Sequence, residues 1–313
     1  MTKRSVLVVA AAMVLPLVLG ACHLGTGTGG SAPVRSSTPS TGPPTTLSPN
    51  GITEKDFDRG NFPAAPRVDN NWYPLTPGTQ YIFEGRSNRG KGVLPHRVVS
   101  TVTDLTKVID GVRAVVLWDQ DINAGRLKES ELAFQAQDDG GNVWLLGEYP
   151  ELYEDGRFNG APDTWISGLE GATPGVLMRA SPRAGTFSYL QGLAPKIEFQ
   201  DRAKVSETGL RSCVPVKCYD DVLLIDEWNP LEPGGVHQLK YYAPGVGNIR
   251  IGAVGDPEAE ELVLVKVVRL SPTALAEARK AALKVEKHAY TVGKDPYRQT
   301  PPVEHALQAG RSP

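Results

Sequence analysis

The chain has 313 residues, of which 22% are charged and 7% aromatic. This length accommodates one large domain or two small ones, and the composition is typical of a soluble globular protein. The formal net charge is −2, and two of the 33 basic residues, Lys3 and Arg4, lie at the extreme N-terminus. A mildly acidic chain without clustered Lys and Arg argues against nucleic acid as a partner and against docking on anionic headgroups.

The first 22 residues have the pattern of an export signal. Lys3 and Arg4 precede an apolar run from Val6 to Val18, which is followed by Leu19-Gly20-Ala21-Cys22. The run contains about a dozen residues, fewer than the roughly 20 that span a bilayer. A spanning anchor and a signal cleaved without lipid attachment are the alternatives.

The segment that ends in Cys22 resembles the lipobox of bacterial lipoproteins. This resemblance implies that residues 1–21 are removed and that a diacylglycerol is attached to the cysteine sulfur. Two or three acyl chains, at about 0.8 kcal/mol per buried methylene, hold a protein on a membrane essentially permanently. We therefore expect a chain anchored by lipid to the cell membrane, on its extracytoplasmic face.

Residues 22–50 are predicted to be a tether that carries the lipid at Cys22. Beyond that cysteine they are mostly Gly, Ser, Thr and Pro, and Arg35 is their only charged residue. Such a segment buries too little apolar surface to fold by itself. As a flexible coil it would span roughly 30 Å.

Short strand-like runs separated by turn residues predict a β domain over residues 51–270. One hairpin is expected from Thr106–Ile109 and Val112–Trp118 about Asp110-Gly111, because Asp-Gly supplies the positive φ of a type I′ turn. A second joins Leu132–Gln137 to Val143–Gly147. Further strands are predicted at Gln80–Glu84, Arg97–Thr103, Thr186–Leu190, Lys196–Phe199, Val222–Trp228, Val236–Tyr242, Gly247–Ile251 and Glu261–Leu270.

Strands that follow one another at this spacing favour an antiparallel meander. About ten strands in one sheet accumulate enough twist to curl or close. We therefore predict a mainly β fold, a curled half-barrel or closed barrel with one C-terminal helix. A two-layer β-sandwich is the alternative.

The helix is predicted over residues 271–289, with Ser271 as N-cap and Pro272 at the first helical position. Thr273–His288 is rich in good helix formers, and its modest apolar face would lie against the sheet or cover an open edge. Residues 290–313 are polar and without pattern, so we expect a disordered tail.

The remaining cysteines, Cys213 and Cys218, would lie outside the reducing cytosol if the chain is exported. We expect a disulfide that pins the turn between them. A redox-active pair is the alternative, but the thioredoxin-type site has two intervening residues and this pair has four.

Several unusual segments occur in a fixed order. They are Trp72-Tyr73-Pro74-Leu75, Gly141-Asn142-Val143-Trp144, Gly168–Gly175, Pro230-Leu231-Glu232-Pro233 and Tyr241-Tyr242-Ala243-Pro244-Gly245-Val246-Gly247. Together they resemble an uncharacterised family of bacterial exported proteins and lipoproteins, over most of the stretch from Trp72 to about Gly252. The resemblance implies an extracytoplasmic β-rich domain and supplies no established catalytic residues.

Four aromatic residues in and near these segments are weak candidates for ligand contact: Trp144, Trp165, Tyr241 and Tyr242. The alternative for the tryptophans is a place in the core. For the tyrosines it is the hinge between two strands, where Pro244 and the following glycines set the backbone.

The sequence predicts no metal site and no cofactor. Asp138, Asp139 and Asn142 offer oxygen ligands for calcium, but their segment is shorter than the twelve-residue loop of an EF-hand, and a hairpin turn is the simpler interpretation. The five histidines lack metal-ligand spacing, and no nucleophile elbow or phosphate-binding glycine loop occurs.

We expect a non-catalytic domain that binds a hydrophobic or envelope ligand on a concave face lined by Val, Leu, Phe and Trp and partly covered by the helix. A structural or interaction module that contacts other envelope proteins is one alternative. An envelope hydrolase assembled from distant residues such as His96, His237 and Ser188 is another.

Overall fold

This computed structural model describes residues 51–90, 92–232, 234–292 and 296–306, which form fifteen strands, one α-helix and four 3-10 turns. The strands are β1 (Thr79–Asn88), β2 (Val93–Ile109), β3 (Val112–Asn123), β4 (Arg126–Gln137), β5 (Val143–Glu154), β6 (Arg157–Phe158), β7 (Trp165–Ile166), β8 (Thr173–Met178), β9 (Tyr189–Ala194), β10 (Phe199–Val214), β11 (Lys217–Trp228), β12 (His237–Ala243), β13 (Gly247–Val254), β14 (Glu261–Arg269) and β15 (Glu304–His305). The helix α1 is Pro272–Val292, and the 3-10 turns are Glu54–Asp56, Arg59–Asn61, Pro195–Ile197 and Tyr297–Gln299. The signal segment, Cys22 and the tether lie outside the described residues.

Twelve antiparallel strands close into a barrel. Their order around the wall is β1, β14, β13, β12, β11, β10, β9, β8, β5, β4, β3 and β2, and β2 pairs with β1 to complete the ring. Strands β6 and β7 pair with β5, and β15 pairs with β2. The predicted mainly β fold with one C-terminal helix is confirmed in its closed-barrel form, and the sandwich alternative is wrong.

Both predicted hairpins are present. Strands β2 and β3 turn at Asp110 and Gly111, which have φ values of 50° and 80°, as a type I′ turn requires. Strands β4 and β5 are paired from Gln137 and Val143 onward. Local turn chemistry therefore sets the register of these four strands.

Some of the predicted strand assignments are wrong in detail. Arg97–Thr103 and Thr106–Ile109 belong to one long strand, β2, because a register shift between Val102 and Thr106 bends the strand without ending it. Only Phe199 of the predicted strand Lys196–Phe199 lies in the sheet, since Pro195, which fixes its own φ and lacks a backbone N–H, begins a 3-10 turn that runs to Ile197.

The region between β5 and β11 differs most from prediction. Strand β9 begins at Tyr189, not at Thr186, and strands β8 and β10 were not predicted over most of their lengths. In β8, Gly175 approaches the backbone of β9 so closely that a Cβ there would lie 2.2 Å from the carbonyl carbon of Gln191. Strand β10 has many polar, partly exposed residues, which conceal its alternation.

The helix lies on the outside of the barrel, against β2 and β4. The Ser271 hydroxyl oxygen accepts a hydrogen bond from the Ala274 amide at 3.2 Å, which confirms the predicted N-cap. Ala282 and Ala289 of the helix are completely buried, and the helix continues to Val292, three residues beyond the predicted end. Within the described chain, no helix is long and apolar enough to cross a membrane.

The predicted disorder of the tail is wrong for residues 296–306. Tyr297 is completely buried, and its ring contacts Tyr149 with centroids 4.8 Å apart. Beyond it, β15 pairs with β2 through Glu304 opposite Thr106. A buried aromatic ring and a strand pair fix this polar segment, whereas residues 307–313 lie outside the described part of the chain.

The segment Val68–Leu75, here called the lid, crosses one end of the barrel. Val68 and Leu75 form an isolated bridge, and both are buried. The Asn70 side-chain amide donates to the carbonyls of Gly141 and Arg179, at 2.8 and 3.2 Å. These acceptors follow β4 and β8 at the lid end, so the lid is tied to distant parts of the wall.

Candidate ligand site inside the barrel

One row of inward-facing side chains crosses four neighbouring strands. The register pairs Tyr81 with Ser100, Ser100 with Asp119, and Asp119 with Glu131, from β1 to β4. Directly opposed residues on antiparallel strands have Cβ atoms about 5 Å apart. The strand alternation therefore brings two carboxyl groups and two hydroxyls to one level of the interior.

A cavity of about 60 Å³ lies under the lid. A water molecule needs about 10–15 Å³ of such space, so the cavity has room for roughly four or five waters. Its walls are mostly apolar and aromatic: Tyr73, Tyr81, Phe83, Leu117, Leu177 and Tyr242. The predicted apolar lining is thus partly present, but the lid covers the cavity and no residue of α1 lines it.

Polar side chains interrupt this apolar wall. Ser100, Asp119, Lys240 and Asn248 all line the cavity. Asp119 lies on β3 and Lys240 on β12, at different positions around the ring of strands. The site therefore combines aromatic walls with two oppositely ionisable groups.

Asp119 is 4% exposed, and its Oδ1 atom has no hydrogen-bond partner among the described residues. Burial raises the pKa of its carboxyl group to about 7, although a hydrogen bond from Ser100 acts in the opposite direction. A buried carboxylate without a full set of partners is costly, because it loses the hydration it has in water. Either a proton or a cationic partner would therefore stabilise the Asp119 carboxyl group.

Lys240 already has an anionic partner. Its Nζ atom lies 2.5 Å from Oε2 of Glu227, and both side chains are almost completely buried. The other oxygen of Glu227 accepts a hydrogen bond from the side chain of Gln191 at 3.0 Å. Glu227 on β11 thus compensates the charge of the lysine on β12.

More carboxyl groups lie in the interior around this pair. Burial raises the pKa of Glu148 to about 8, despite a 2.8 Å hydrogen bond that its Oε2 accepts from the Trp165 indole. Burial, with the negative charge of Glu227, also raises the pKa of Asp201 to about 7. The pKa of Glu131 is raised by burial and by the charges of nearby acids, of which Glu148 acts most strongly. The interior is consequently rich in carboxyl groups that favour the protonated form.

The lid forms part of the cavity wall. The Tyr73 and Tyr242 rings have centroids 6.2 Å apart and are inclined by 47°. The Tyr81 hydroxyl donates to the Pro74 carbonyl at 3.2 Å, and the Gly245 amide donates to the Asn71 carbonyl at 2.6 Å. These contacts hold Tyr81, Tyr242 and the β12–β13 turn against the lid.

A second ionisable cluster lies inside the opposite end of the barrel. His96 Nε2 lies 2.8 Å from Oδ1 of Asp121, and its Nδ1 lies 3.1 Å from Oε1 of Glu260. Arg89 also contacts Asp121, at 2.5 Å. Burial alone would lower the pKa of His96, but hydrogen bonds and charges from the two acids outweigh it and raise the value to about 9.

The two candidate tryptophans are core residues. Trp144 and Trp165 are only 1% and 2% exposed. The indole N–H of Trp144 donates to Asp138 at 2.8 Å, and that of Trp165 donates to Glu148. Neither residue lines the cavity, so their alternative interpretation as core aromatics is the one that agrees with their positions.

The two candidate tyrosines lie in different environments. Tyr242 is buried and lines the cavity, whereas Tyr241 is partly exposed and lies beside Arg250. The predicted hinge follows them, since Gly245 has a φ of 71° in the turn between β12 and β13. Only one of the two adjacent tyrosines therefore reaches the interior.

The cysteines and acidic turn have local roles. Cys213 and Cys218 are joined by a disulfide across the β10–β11 turn. Asp138 accepts hydrogen bonds from the backbone and side-chain nitrogens of Asn142, as in a hairpin turn. In the described ranges, no group of three His, Cys, Asp or Glu residues is arranged to hold a metal ion.

The hydrolase candidates occupy three different environments. His96 is inside the barrel with Asp121, whereas His237 is partly exposed, bonded to Asp226 at 2.6 Å. Ser188 contacts the guanidinium group of Arg202. The structure therefore does not bring these three side chains into one constellation.

Four residues of this site were not predicted from the sequence: Asp119, Lys240, Tyr73 and Tyr81. A signal for Asp119 was present, because Val115 and Leu117 alternate with it along one strand face. Continuing that alternation places Asp119 on the apolar, buried face. The pairing of Lys240 depends on contacts between separate strands and has no such local signal.

No protein family model matches this sequence. No curated protein is significantly similar to it.

Solved structures similar to this chain include three exported or barrel-like proteins. A presumed exported protein of YmcC-like fold from Bacteroides fragilis has 14% identity and a TM-score of 0.34, covering 64% of this chain and 99% of its own. A presumed lipoprotein from Parabacteroides distasonis has 14% identity and a TM-score of 0.37, with the same coverage. A β-barrel-like protein of the domain of unknown function DUF1849 from Brucella abortus has 12% identity and a TM-score of 0.35, covering 66% of this chain and 100% of its own.

Proposed function

We propose that this chain is a non-catalytic, lipid-anchored domain that binds a small envelope ligand, or the head of a larger amphiphile, in the lidded cavity. The observation that supports this proposal is an aromatic cavity that contains the buried, incompletely bonded carboxyl group of Asp119. A pocket with apolar walls and a few convergent polar groups is the usual form of a small-molecule site.

The size of the cavity limits what enters it. Space for roughly four or five waters suits a group of only a few heavy atoms and excludes a long acyl chain in this conformation. The proposed ligand is therefore a polar or amphiphilic molecule that inserts one compact end. The hydrophobic ligand expected from the sequence would have to remain mostly outside.

The test is native mass spectrometry of protein extracted from its own membrane, before and after organic extraction. Val246→Trp would obstruct the cavity, because Val246 lines it in the partly exposed β12–β13 turn. Val216→Trp is the matched control, a 37% exposed valine in the β10–β11 turn at the same end of the barrel. We expect a bound mass in the wild type and the control that is absent from Val246→Trp. A wild type without a bound mass, or one equally retained by Val246→Trp, contradicts ligand binding in this cavity.

Anchoring is tested separately with Cys22→Ser. The proposed diacylglycerol at Cys22 would place the wild type in the membrane fraction with an acylated N-terminal peptide. The variant should lose that modification and appear in the soluble fraction. Wild-type protein that begins elsewhere, or has an unmodified thiol at Cys22, contradicts the proposed anchor.

A further inference from the structure

We infer that the lidded cavity recognises an alkylammonium group, with Asp119 as its anionic partner and the rings of Tyr73, Tyr81 and Tyr242 as its walls. This inference rests on the proposed ligand-binding function and specifies the chemical class of the ligand.

The charges of the cavity favour a cation. Lys240 and Asp119 both line the space, but Lys240 forms a close ion pair with Glu227. The Oδ1 atom of Asp119 has no hydrogen-bond partner in the described part of the chain, and the residue is 96% buried, since its exposure is 4%. Asp119 lies opposite Glu131 on β4, and its charge acts on Glu131 and on Glu148 of β5, which are acids as well. An anionic ligand would meet this excess of carboxyl groups, whereas an ammonium group would compensate it.

The aromatic walls favour the same class. Tyr73 and Tyr242 are in ring contact, and Tyr81 is fixed to the lid through the Pro74 carbonyl. Burial raises the pKa of Tyr73, and the negative charge of Asp119 raises it further. The carboxyl group and the ring therefore share one electrostatic environment. The negative faces of aromatic rings attract cations, and several rings around one space form the usual cage for alkylated ammonium groups.

The shape and the lining of the cavity suit an alkylammonium group better than a metal ion. The described residues contain no group of three His, Cys, Asp or Glu that could hold a metal, and the walls are mainly carbon. A trimethylammonium group has four heavy atoms and a carbon surface, which matches the small apolar space. One carboxylate supplies the charge, and the rings replace the water that the cation loses.

The same ammonium chemistry is found in free small molecules and in lipid headgroups. The enclosed position of Asp119 admits only the compact end of either one. The two sources are therefore distinguished by comparing soluble choline with vesicles of phosphatidylcholine, using phosphatidylglycerol vesicles as the comparison without an ammonium group.

The decisive experiment is isothermal titration of the whole chain with choline and with 3,3-dimethylbutan-1-ol, its neutral isostere. The wild type should bind choline at least about tenfold more tightly, because the desolvated cation gains both the carboxylate and the rings. Asp119→Asn should reduce this preference to less than about twofold, whereas Asp139→Asn, an exposed acid in the β4–β5 turn, should retain it.

A second measurement does not depend on folding of the Asp119 variant. Because burial holds the pKa of Asp119 near 7, a bound cation should lower it and release protons at pH 7. Titration of the wild type in buffers of different ionisation enthalpy measures that release. Binding of choline without proton release would overturn the assigned role of Asp119.

The outcomes distinguish the two proposals. Equal binding of choline and its isostere, abolished by Val246→Trp, would overturn the ammonium assignment and leave the ligand cavity supported. Absence of binding by choline, the isostere and both vesicle types would overturn the ammonium assignment, while a native bound mass absent from Val246→Trp would still support the cavity. Preference for phosphatidylcholine vesicles over soluble choline would support a headgroup as the source.

Discussion

Asp119 and Glu131 lie directly opposite each other on β3 and β4, on the inner wall of the barrel, with 4% and 0% of their surfaces exposed. Two carboxylates in this arrangement repel each other and lose hydration together. Burial and neighbouring acids accordingly raise the pKa of Glu131 well above its ordinary value of 4.5. The acidic side chains of the interior therefore favour their protonated form.

This organisation predicts that the interior acids make folding less favourable as the pH rises. An acid whose pKa rises on folding stabilises the folded protein at pH values below its unfolded pKa of about 4. That stabilisation is lost as the pH rises through the folded pKa, which is about 7 for Asp119 and about 8 for Glu148. Glu131→Gln should leave the free energy of unfolding at pH 4 nearly unchanged and increase it at pH 8 by about 1–3 kcal/mol.

Urea unfolding at pH 4, 6 and 8 measures this difference. Asp139→Asn is the control, because Asp139 is exposed and its removal should give the same pH dependence as the wild type. A Glu131→Gln variant whose stability falls with pH as steeply as that of the wild type would show that Glu131 is ionised in the folded protein.

His96 is a second group that makes the folded protein less stable as the pH rises. Its pKa is raised to about 9 because Asp121 and Glu260 outweigh the opposing effect of burial. The stabilisation is fully present below the unfolded value of about 6.5 and is lost as the pH rises through about 9. His96→Gln should lower the free energy of unfolding at pH 6 by about 3–5 kcal/mol, because it removes one of the two buried cations, His96 and Arg89, that compensate Asp121 and Glu260.

Proton NMR titration of the His96 ring is the direct measurement, and a midpoint near 6.5 would contradict a charged imidazole between two acids. His305→Gln provides the stability control. His305 is 54% exposed and pairs with Asp104 at 3.1 Å, so the loss should be below about 1 kcal/mol.

The Asp138 carboxylate stabilises the β4–β5 hairpin by satisfying three nitrogen donors. It accepts hydrogen bonds from the Asn142 backbone and side chain and from the Trp144 indole, at 2.8–3.1 Å. Asp138→Ala should lower the free energy of unfolding by about 1–3 kcal/mol, because the buried indole N–H loses its acceptor.

Asp139→Ala is the matched control in the same turn, and its effect should remain within about 0.5 kcal/mol. Chemical denaturation measures both variants. Equal losses from the two substitutions would mean that solvent or another group replaces the Asp138 acceptor.

Turns and caps were predictable because their chemistry is local. Asp110-Gly111 carries its own backbone preference, and Ser271-Pro272 supplies both an acceptor and a suitable first helical residue. The twist of a long antiparallel sheet likewise indicated closure. These features depend on a few adjacent residues or on the number of strands.

The cavity was not predictable because it depends on contacts between distant residues. Closure places Thr79 opposite Arg269, and the ion pair at Lys240 requires β11 and β12 to face the same interior as Asp119. The Trp72-Tyr73-Pro74-Leu75 motif was visible in the sequence, but its role as a lid follows from hydrogen bonds to Gly141, Arg179 and Gly245.

One buried ring in the C-terminal segment connects a polar tail to the outside of the barrel. Tyr297 is completely buried, and Lys107 Nζ lies 4.4 Å from its ring centroid. Lys107 also donates to the Pro301 carbonyl at 2.6 Å, and Glu286 accepts from the Val303 amide at 2.7 Å. Loss of the ring would therefore weaken contacts made by the helix, the tail and β2 together.

Tyr297→Ala should lower the free energy of unfolding by about 3–5 kcal/mol, as for other large aromatic residues removed from a core. Tyr297→Phe is the matched control, because the Tyr297 hydroxyl has no hydrogen-bond partner within the described chain and its removal should cost less than about 1 kcal/mol. Urea unfolding should show that a chain ending at Val292 is at least as unstable as Tyr297→Ala. If ending the chain at Val292 has no effect, residues 296–306 do not stabilise the barrel, and the cation-ring contact at Lys107 contributes nothing measurable to the fold.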